Sequence, residues 1–275
     1  MERGVAEAKD FLNARGALLQ FDEKALRHLE VTYRAPEVAA QRRVLLEAVA
    51  ARPGERALDI GCGPGFVTEE LARAVGSAGA VHAMDNSESS VAMARQRCAA
   101  FSNVQFELAG ATQLPYPNDH FDLAVSTQVY EFVPDVPKAL SELHRVLRPG
   151  GRAAIIDTDW HTILWHSTDP IRMARILKAW DEHLAHPVLP RTLIPMLRDA
   201  GFSVRACKVI PYLDTEYKPE GYSHNMTKTL RRFVRDRQGI TNQEAEAWAE
   251  ELQALAGAGN YFFCLNRCLF LADKQ

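Results

Sequence analysis

The stretch Leu58-Asp59-Ile60-Gly61-Cys62-Gly63-Pro64-Gly65 decides the fold. Residues 56–60 read as a short strand, and Val67, Leu71 and Val75 then fall on one face of a helix. Between them stand three glycines, spaced two apart. Glycine at such a turn allows positive φ and lets a ligand approach the backbone. The helix that follows offers free N–H groups at its N-terminus. A hydride-transfer dinucleotide fold would need G-x-G-x-x-G, but Phe66 holds the last position and the third glycine comes one residue early. A phosphate-cradling P-loop would need Gly-Lys-Ser/Thr, which is absent. The plain alternative is a tight strand-to-helix turn.

Working outward, residues 36–51 read as a helix entered at Pro36. Strands are expected at 81–85, 104–108, 121–126 and 152–157, and helices at 88–100 and 136–147. Five strands alternating with helices predict right-handed crossovers and a parallel sheet, an α/β doubly wound fold. Asp85 ends the second strand, where a carboxylate can accept both ribose hydroxyls of an adenosine-containing ligand. The competing reading is a helix-capping aspartate, because Asn86-Ser87 open the next helix. Beyond residue 160 the pattern changes. Helices are expected at 170–186 and 190–200, a strand at 203–212, two polar helical stretches over 221–257 broken near Gly239, and a last strand at 260–271.

Composition narrows the class. The 275 residues are 47% hydrophobic and 24% charged, so a sizeable core is expected and disorder is not. Lys+Arg number 32 against 35 Asp+Glu, a net charge of −3, which argues against nucleic acid as the main partner. No apolar run reaches the ~18–20 residues of a membrane span, and the start has no apolar signal core. Five cysteines without a CxxC fit reduced thiols in a cytoplasm. Composition predicts a cytoplasmic enzyme.

The sequence resembles the class I S-adenosylmethionine-dependent methyltransferases, in the branch with quinone-biosynthesis and other small-molecule enzymes. The resemblance rests on residues 58–65, on Asp85, on Leu114-Pro115-Tyr116-Pro117 before Phe121-Asp122, and on Val133-Pro134-Asp135 leading to Arg145-Val146-Leu147-Arg148-Pro149-Gly150-Gly151. It implies a seven-stranded, mostly parallel sheet with an antiparallel final strand. It also implies one domain over 1–275: a helical cap at 1–50, a cofactor core at 55–158, and acceptor-side helices and strands at 160–275. Segments 1–50, 160–190 and 214–259 are expected to form a lid. Gly61, Gly63 and Gly65 would line the methionine and ribose of S-adenosylmethionine, and S-adenosylhomocysteine would be the product. Asp59 would order the loop, Asp85 hold the ribose, and Met84 and Asn86 flank the adenosine. Where the family usually has Gly-Asp, this chain has Gly110-Ala111-Thr112, with the Ala111 N–H expected at the adenine and Thr112 in place of the acid. Ser126 would complete the cofactor set, and Tyr33 and Arg34 would reach the cofactor carboxylate.

Methyl transfer from a sulfonium is an in-line displacement that needs alignment, water exclusion and, for a hydroxyl or ammonium acceptor, a base. The acceptor is expected beyond the carboxyl ends of strands four and five. Candidate catalytic residues there are His161, Asp159, Glu131 and Tyr130, with Asp159 orienting His161. Gln128, Trp160, Trp165 and His166 are candidate acceptor contacts. The competing reading of 159–161 is a helix cap with buried aromatics. His82 reads as structural and His144 as solvated. Cys264 and Cys268 are not expected to bind metal. The stripe Lys228, Arg231, Arg232, Arg235 reads as a solvated face balanced by acids at 244–251. The leading expectation is a methyltransferase of a small molecule, monomeric or homodimeric. The alternatives are a nucleic-acid or protein methyltransferase, and a cofactor-binding module without catalysis.

Overall fold

The computed structural model describes residues 30–275, so part of the expected cap at 1–50 lies outside the described residues. Helix α1 (Pro36–Val49) leads into β1 (Arg56–Ile60), α2 (Phe66–Val75), β2 (Ala80–Asp85), α3 (Glu88–Arg97) and β3 (Val104–Leu108). Then come β4 (Phe121–Thr127), a 3₁₀ turn at Tyr130–Phe132, α4 (Val136–Val146) and β5 (Leu147–Trp165). The remainder is α5 (Pro170–Trp180), α6 (Leu193–Asp199), β6 (Phe202–Asp214), α7 (Tyr222–Phe233), α8 (Asn242–Gly257) and β7 (Phe263–Lys274).

The seven strands form one sheet in the order β3-β2-β1-β4-β5-β7-β6. Strands β1 to β5 pair in parallel, and β7 runs antiparallel between β5 and β6. Alternation along each strand feeds two cores. Ala57, Val125, Ile156, Ile210 and Leu265 face one side, with α1, α2, α7 and α8. Leu58, Ala124, Ile155 and Phe270 face the other, with α4 and α6. The strand order reverses between β1 and β4, which opens a crevice at their carboxyl ends.

Several boundaries differ from the sequence expectation. Helix α3 stops at Arg97, not 100, and the expected helix at 170–186 ends at Trp180 and continues as a 3₁₀ turn at Asp181–His183. The largest difference is β5. The expected strand at 152–157 spans Leu147–Trp165, because β7 pairs with it as far as Trp165↔Phe263. Residues 158–165 are therefore strand, with an irregularity between Asp159 and Leu164, and neither a loop nor a helix cap. His144 is not solvated as expected: it is half-buried, edge-on to Phe202 at 5.1 Å, and against Gly201. His82 is structural, with Tyr116 and Phe121 edge-on at 5.3 Å each.

The extended end of β5 depends on helix α8. Trp248 is fully buried and meets Trp165 edge-on at 5.3 Å. Trp248→Ala should cost about 3–5 kcal/mol of folding stability, read by urea denaturation. A loss under about 1 kcal/mol would mean that this aromatic contact is not what fixes the sheet's far end.

Candidate active site

The glycine turn is held from below and from the side. The N–H groups of Gly61 and Cys62 both donate to the Met84 carbonyl, at 2.8 and 2.9 Å. Met84 thus serves the loop through its backbone, while its side chain is buried with Leu58 and Ile60. Asp85 Oδ2 accepts the Gly63 N–H and its Oδ1 accepts the Ser87 N–H, each at 2.9 Å. The helix cap itself is Ser87, whose Oγ accepts the Ser90 N–H. Asp59 is buried and accepts the Thr68 hydroxyl at 2.6 Å. Burial raises the Asp59 carboxyl to about 7 and also raises that of Asp85.

The three glycines differ in what lies beside them. A Cβ on Gly61 would come within 2.2 Å of Val129, and one on Gly65 within 2.9 Å of Ala94. A Cβ on Gly63 would meet only the Tyr33 hydroxyl, at 4.0 Å. Close packing explains the first and third glycines, and an approach from the crevice remains open at the middle one. A cleft opens here, lined by Tyr33, Gln41, Asp59, Gly61, Gly63 and Thr127 among others. Thr127 Oγ1 and Gln41 Nε2 are buried there without hydrogen-bond partners among the described residues. Asn86 and Gly110 are exposed, Thr112 half-buried and Ala111 buried. The turn that carries them is tied to β2 by the Ala109 N–H donating to the Asp85 carbonyl at 3.0 Å.

On the acceptor side the structure separates residues that the sequence suggested would cooperate. His161 Nε2 lies 2.9 Å from Asp181, and Asp159 is bound by Arg191 at 2.8 and 3.0 Å. Asp159 therefore does not orient His161, whose side chain is about half exposed (47%). Trp165 is buried and donates to the Tyr261 hydroxyl at 3.1 Å, and its ring lies against Phe263. His166 is exposed. Trp160 is buried, edge-on to Trp180 at 5.6 Å and His183 at 5.0 Å. Two residues of the basic stripe, Arg231 on α7 and Arg235 just after it, pair with Glu246 of α8. Cys264 and Cys268 belong to no group of potential metal ligands among the described residues.

The remaining candidates do converge. Gln128, with φ 56°, donates to the Thr158 hydroxyl at 3.0 Å. The Thr158 N–H donates to Glu131 at 2.8 Å, and the Glu131 N–H reaches Asp157 at 3.4 Å. Glu131, Asp157 and Tyr130 are fully buried, and Ser126 Oγ beside them has no partner among the described residues. Burial raises Glu131 to about 7, against the pull of the Thr158 N–H and of Arg267. Burial and the neighbouring Glu131 charge push Asp157 well above the usual carboxylate range.

Three residues of this region escaped sequence reading: Gln41, Tyr212 and Arg267, whereas Asp157 was expected at the end of the fifth strand. Arg267 is the cross-strand neighbour of Thr158. It is buried and donates to Gln41 at 2.6 Å, to the Tyr212 hydroxyl at 2.6 Å and to the Tyr222 hydroxyl at 3.1 Å. A lone arginine inside the apolar run Leu265–Ala272 was the available signal.

The raised carboxyls set a pH dependence. Glu131 moves from 4.5 to about 7 and Asp59 from 3.8 to about 7 on folding. The native state therefore holds protons that the unfolded chain has lost, so stability falls as pH rises through this window. Urea denaturation from pH 4 to 8 should show this decline, and Glu131→Gln should flatten it. A profile with the wild-type slope in Glu131→Gln would mean that this carboxyl stays ionised in the fold.

Residues 58–155 match the family model described as Methyltransferase domain. The chain is 40% identical over 119 residues to the 2-phytyl-1,4-naphtoquinone methyltransferase of Synechococcus elongatus, covering 42% of this chain and 51% of that protein. It spans about half the length of the curated relatives it matches. Among solved structures, Haemonchus contortus phosphoethanolamine N-methyltransferase 2, in complex with phosphomonomethylethanolamine and S-adenosylhomocysteine, superposes with a TM-score of 0.60 at 18% identity, over 93% of this chain and 58% of that one. The [4+2]-cyclase SpnF superposes with a TM-score of 0.56 at 21% identity, over 86% of this chain and 80% of that one. Residues 58–155 are thus similar to a methyltransferase domain, and the described residues complete a seven-stranded sheet with the fold of these solved structures.

Proposed function

We propose that this chain transfers a methyl group from S-adenosylmethionine to a small-molecule acceptor. One observation carries the reading: the open face of Gly63, Tyr33 and the unpartnered Thr127 hydroxyl border one cleft, and the Asp85 carboxylate holds the Gly63 N–H. The site residues fit the cofactor. Asp85 spends one lone pair per oxygen on backbone N–H groups and keeps the others for ribose hydroxyls. Tyr33 stands where it would meet the amino-acid end, and the Ala111 N–H and Thr112 would serve the adenine. Asp59, already bonded to Thr68, would order the loop. When bound, S-adenosylmethionine supplies an electrophilic methyl group whose carbon–sulfur electron pair leaves on sulfur.

The chain's own contribution is placement and water exclusion. The Ala185 and His186 N–H groups donate to the Glu131 carbonyl, at 3.1 and 2.9 Å, so the segment after α5 covers the end of β4. We assign this segment and α7 to the acceptor cover. The naphthoquinone-methylating relative supports a small flat acceptor. The fold is shared with a cyclase, so the reaction rests on the site and not on the sheet.

The test is calorimetry with S-adenosylmethionine and S-adenosylhomocysteine on wild type and Asp85→Asn, then a labelled-methyl screen of metabolite extracts. Asp85→Asn should lose about 1.5–3 kcal/mol of binding, roughly tenfold to a hundredfold in affinity. Equal affinity in the two proteins would remove Asp85 from the cofactor site. No cofactor binding by wild type would refute the reading.

A further inference from the structure

The turn after β3 lies beyond Asp85 from the glycine loop, and its side chains carry little polarity. Leu108 pairs with Asp85 across β3 and β2, and the Ala109 N–H donates to the Asp85 carbonyl. Leu108 is 59% exposed, and Gly110 has nothing within 4 Å of where a Cβ would stand. Ala111 is buried with Met84, Ile60 and Leu114. Asn86 is exposed and Thr112 half-buried. The acids of the adjoining strand and helix, Glu107 and Glu88, are exposed. The charge of Glu107 is felt at Tyr116, whose ring packs on His82.

What this turn offers is backbone. The Gln113 N–H donates to the Gly110 carbonyl at 3.2 Å, whereas the Ala111 and Thr112 N–H groups and the Thr112 hydroxyl have no partner among the described residues. An N–H only donates, while a hydroxyl or a primary amide can donate or accept. A purine edge presents two groups side by side, the ring nitrogen N1 and the substituent on C6. In adenine N1 accepts and the 6-amino group donates. A fixed donor such as the Ala111 N–H distinguishes an accepting N1 from a protonated one. Distinguishing a 6-amino group from another substituent takes a group that only accepts, above all a carboxylate. The side chains of residues 108–113 include none.

We propose that the base end of this site reads purine N1 through the Ala111 N–H and leaves the 6-amino group unread, so that S-adenosylmethionine-type ligands are taken without regard to a small substituent on C6. This rests on the methyl-transfer reading above, in which these residues hold the base. The Asn86 amide and the Thr112 hydroxyl adapt, turning to donate or to accept as the substituent requires. Selectivity is then set at the ribose and amino-acid ends of the ligand, by Asp85 and the glycine turn. A carboxylate placed at position 111 restores a reading of the amino group.

The probes are S-adenosylhomocysteine, its 6-deamino analogue (hydrogen in place of the amino group) and its inosyl analogue (a 6-oxo group with a proton on N1). Each is titrated calorimetrically into the full chain. The 6-deamino analogue should bind within about threefold of S-adenosylhomocysteine. The inosyl analogue should bind more weakly by roughly tenfold or more, because its N1 proton meets the Ala111 N–H. Ala111→Asp should make the site selective, favouring S-adenosylhomocysteine over the 6-deamino analogue by roughly tenfold to a hundredfold, the size of a charge-assisted hydrogen bond. If Ala111→Asp fails to fold, Thr112→Asp takes its place with the same expectation. A roughly tenfold loss for the 6-deamino analogue in the unaltered chain overturns the proposal, since some group then reads the amine. Equal binding of the inosyl analogue, or an aspartate variant with an unchanged ratio, overturns it too, because Ala111 then does not stand at the base. A chain that does not bind S-adenosylhomocysteine at all overturns the underlying reading as well.

Discussion

The Asp85 carboxylate is the constraint on which the crevice depends. It stands at the carboxyl end of β2 and accepts one N–H from the glycine turn and one from the start of α3. The turn after β1 and the turn after β2 are thereby locked to each other. With Gly61 and Cys62 also donating to the Met84 carbonyl, the loop has no free register along the strand. Gly61 packs on Val129, so the turn that leaves β4 is seated against the same loop. The turns after β1, β2 and β4 thus converge on one loop, and the crevice between β1 and β4 takes its shape from them.

On the far side of that crevice the problem is charge rather than shape. The α1/α7 face of the sheet carries Thr158 and Arg267 among apolar neighbours, and 3₁₀ residue Glu131 folds back onto Thr158. The fold places a cation and two acids out of water without pairing any of them directly. Burial works in opposite directions on the two kinds: it protonates carboxyls, whereas a guanidinium cannot shed its proton. The guanidinium keeps its proton there, while burial pushes both carboxyls up.

Much of this was legible in the sequence. The glycine spacing, Asp85 and the alternation of strands and helices pointed to the crevice between β1 and β4, because those features are local. The β5 extension was not legible, since residues 158–165 become strand only when β7 arrives from 263–267. The pairing of Asp159 with Arg191 and of His161 with Asp181 was hidden for the same reason: each partner comes from the segment after α5. Gln41, Tyr212 and Arg267 look like core positions one at a time. Their meaning lies in contacts across 171 and 226 residues of chain, which no spacing rule reads.

The sheet order also has a consequence for how the molecule comes to exist. Strand β5 has β4 on one side from early in the chain, but its other edge is filled by β7, among the last residues. The nucleotide half can assemble from contacts close in sequence. The acceptor half must wait for a strand more than a hundred residues later, and such long closures are slow. Until then Ile156, Trp160 and Trp165 flank an unpaired strand edge, the kind of surface that invites association between chains. The second edge of β5 is therefore completed only by β7, the strand that carries Arg267. Closure of the sheet is thus also what seats Arg267 opposite Thr158.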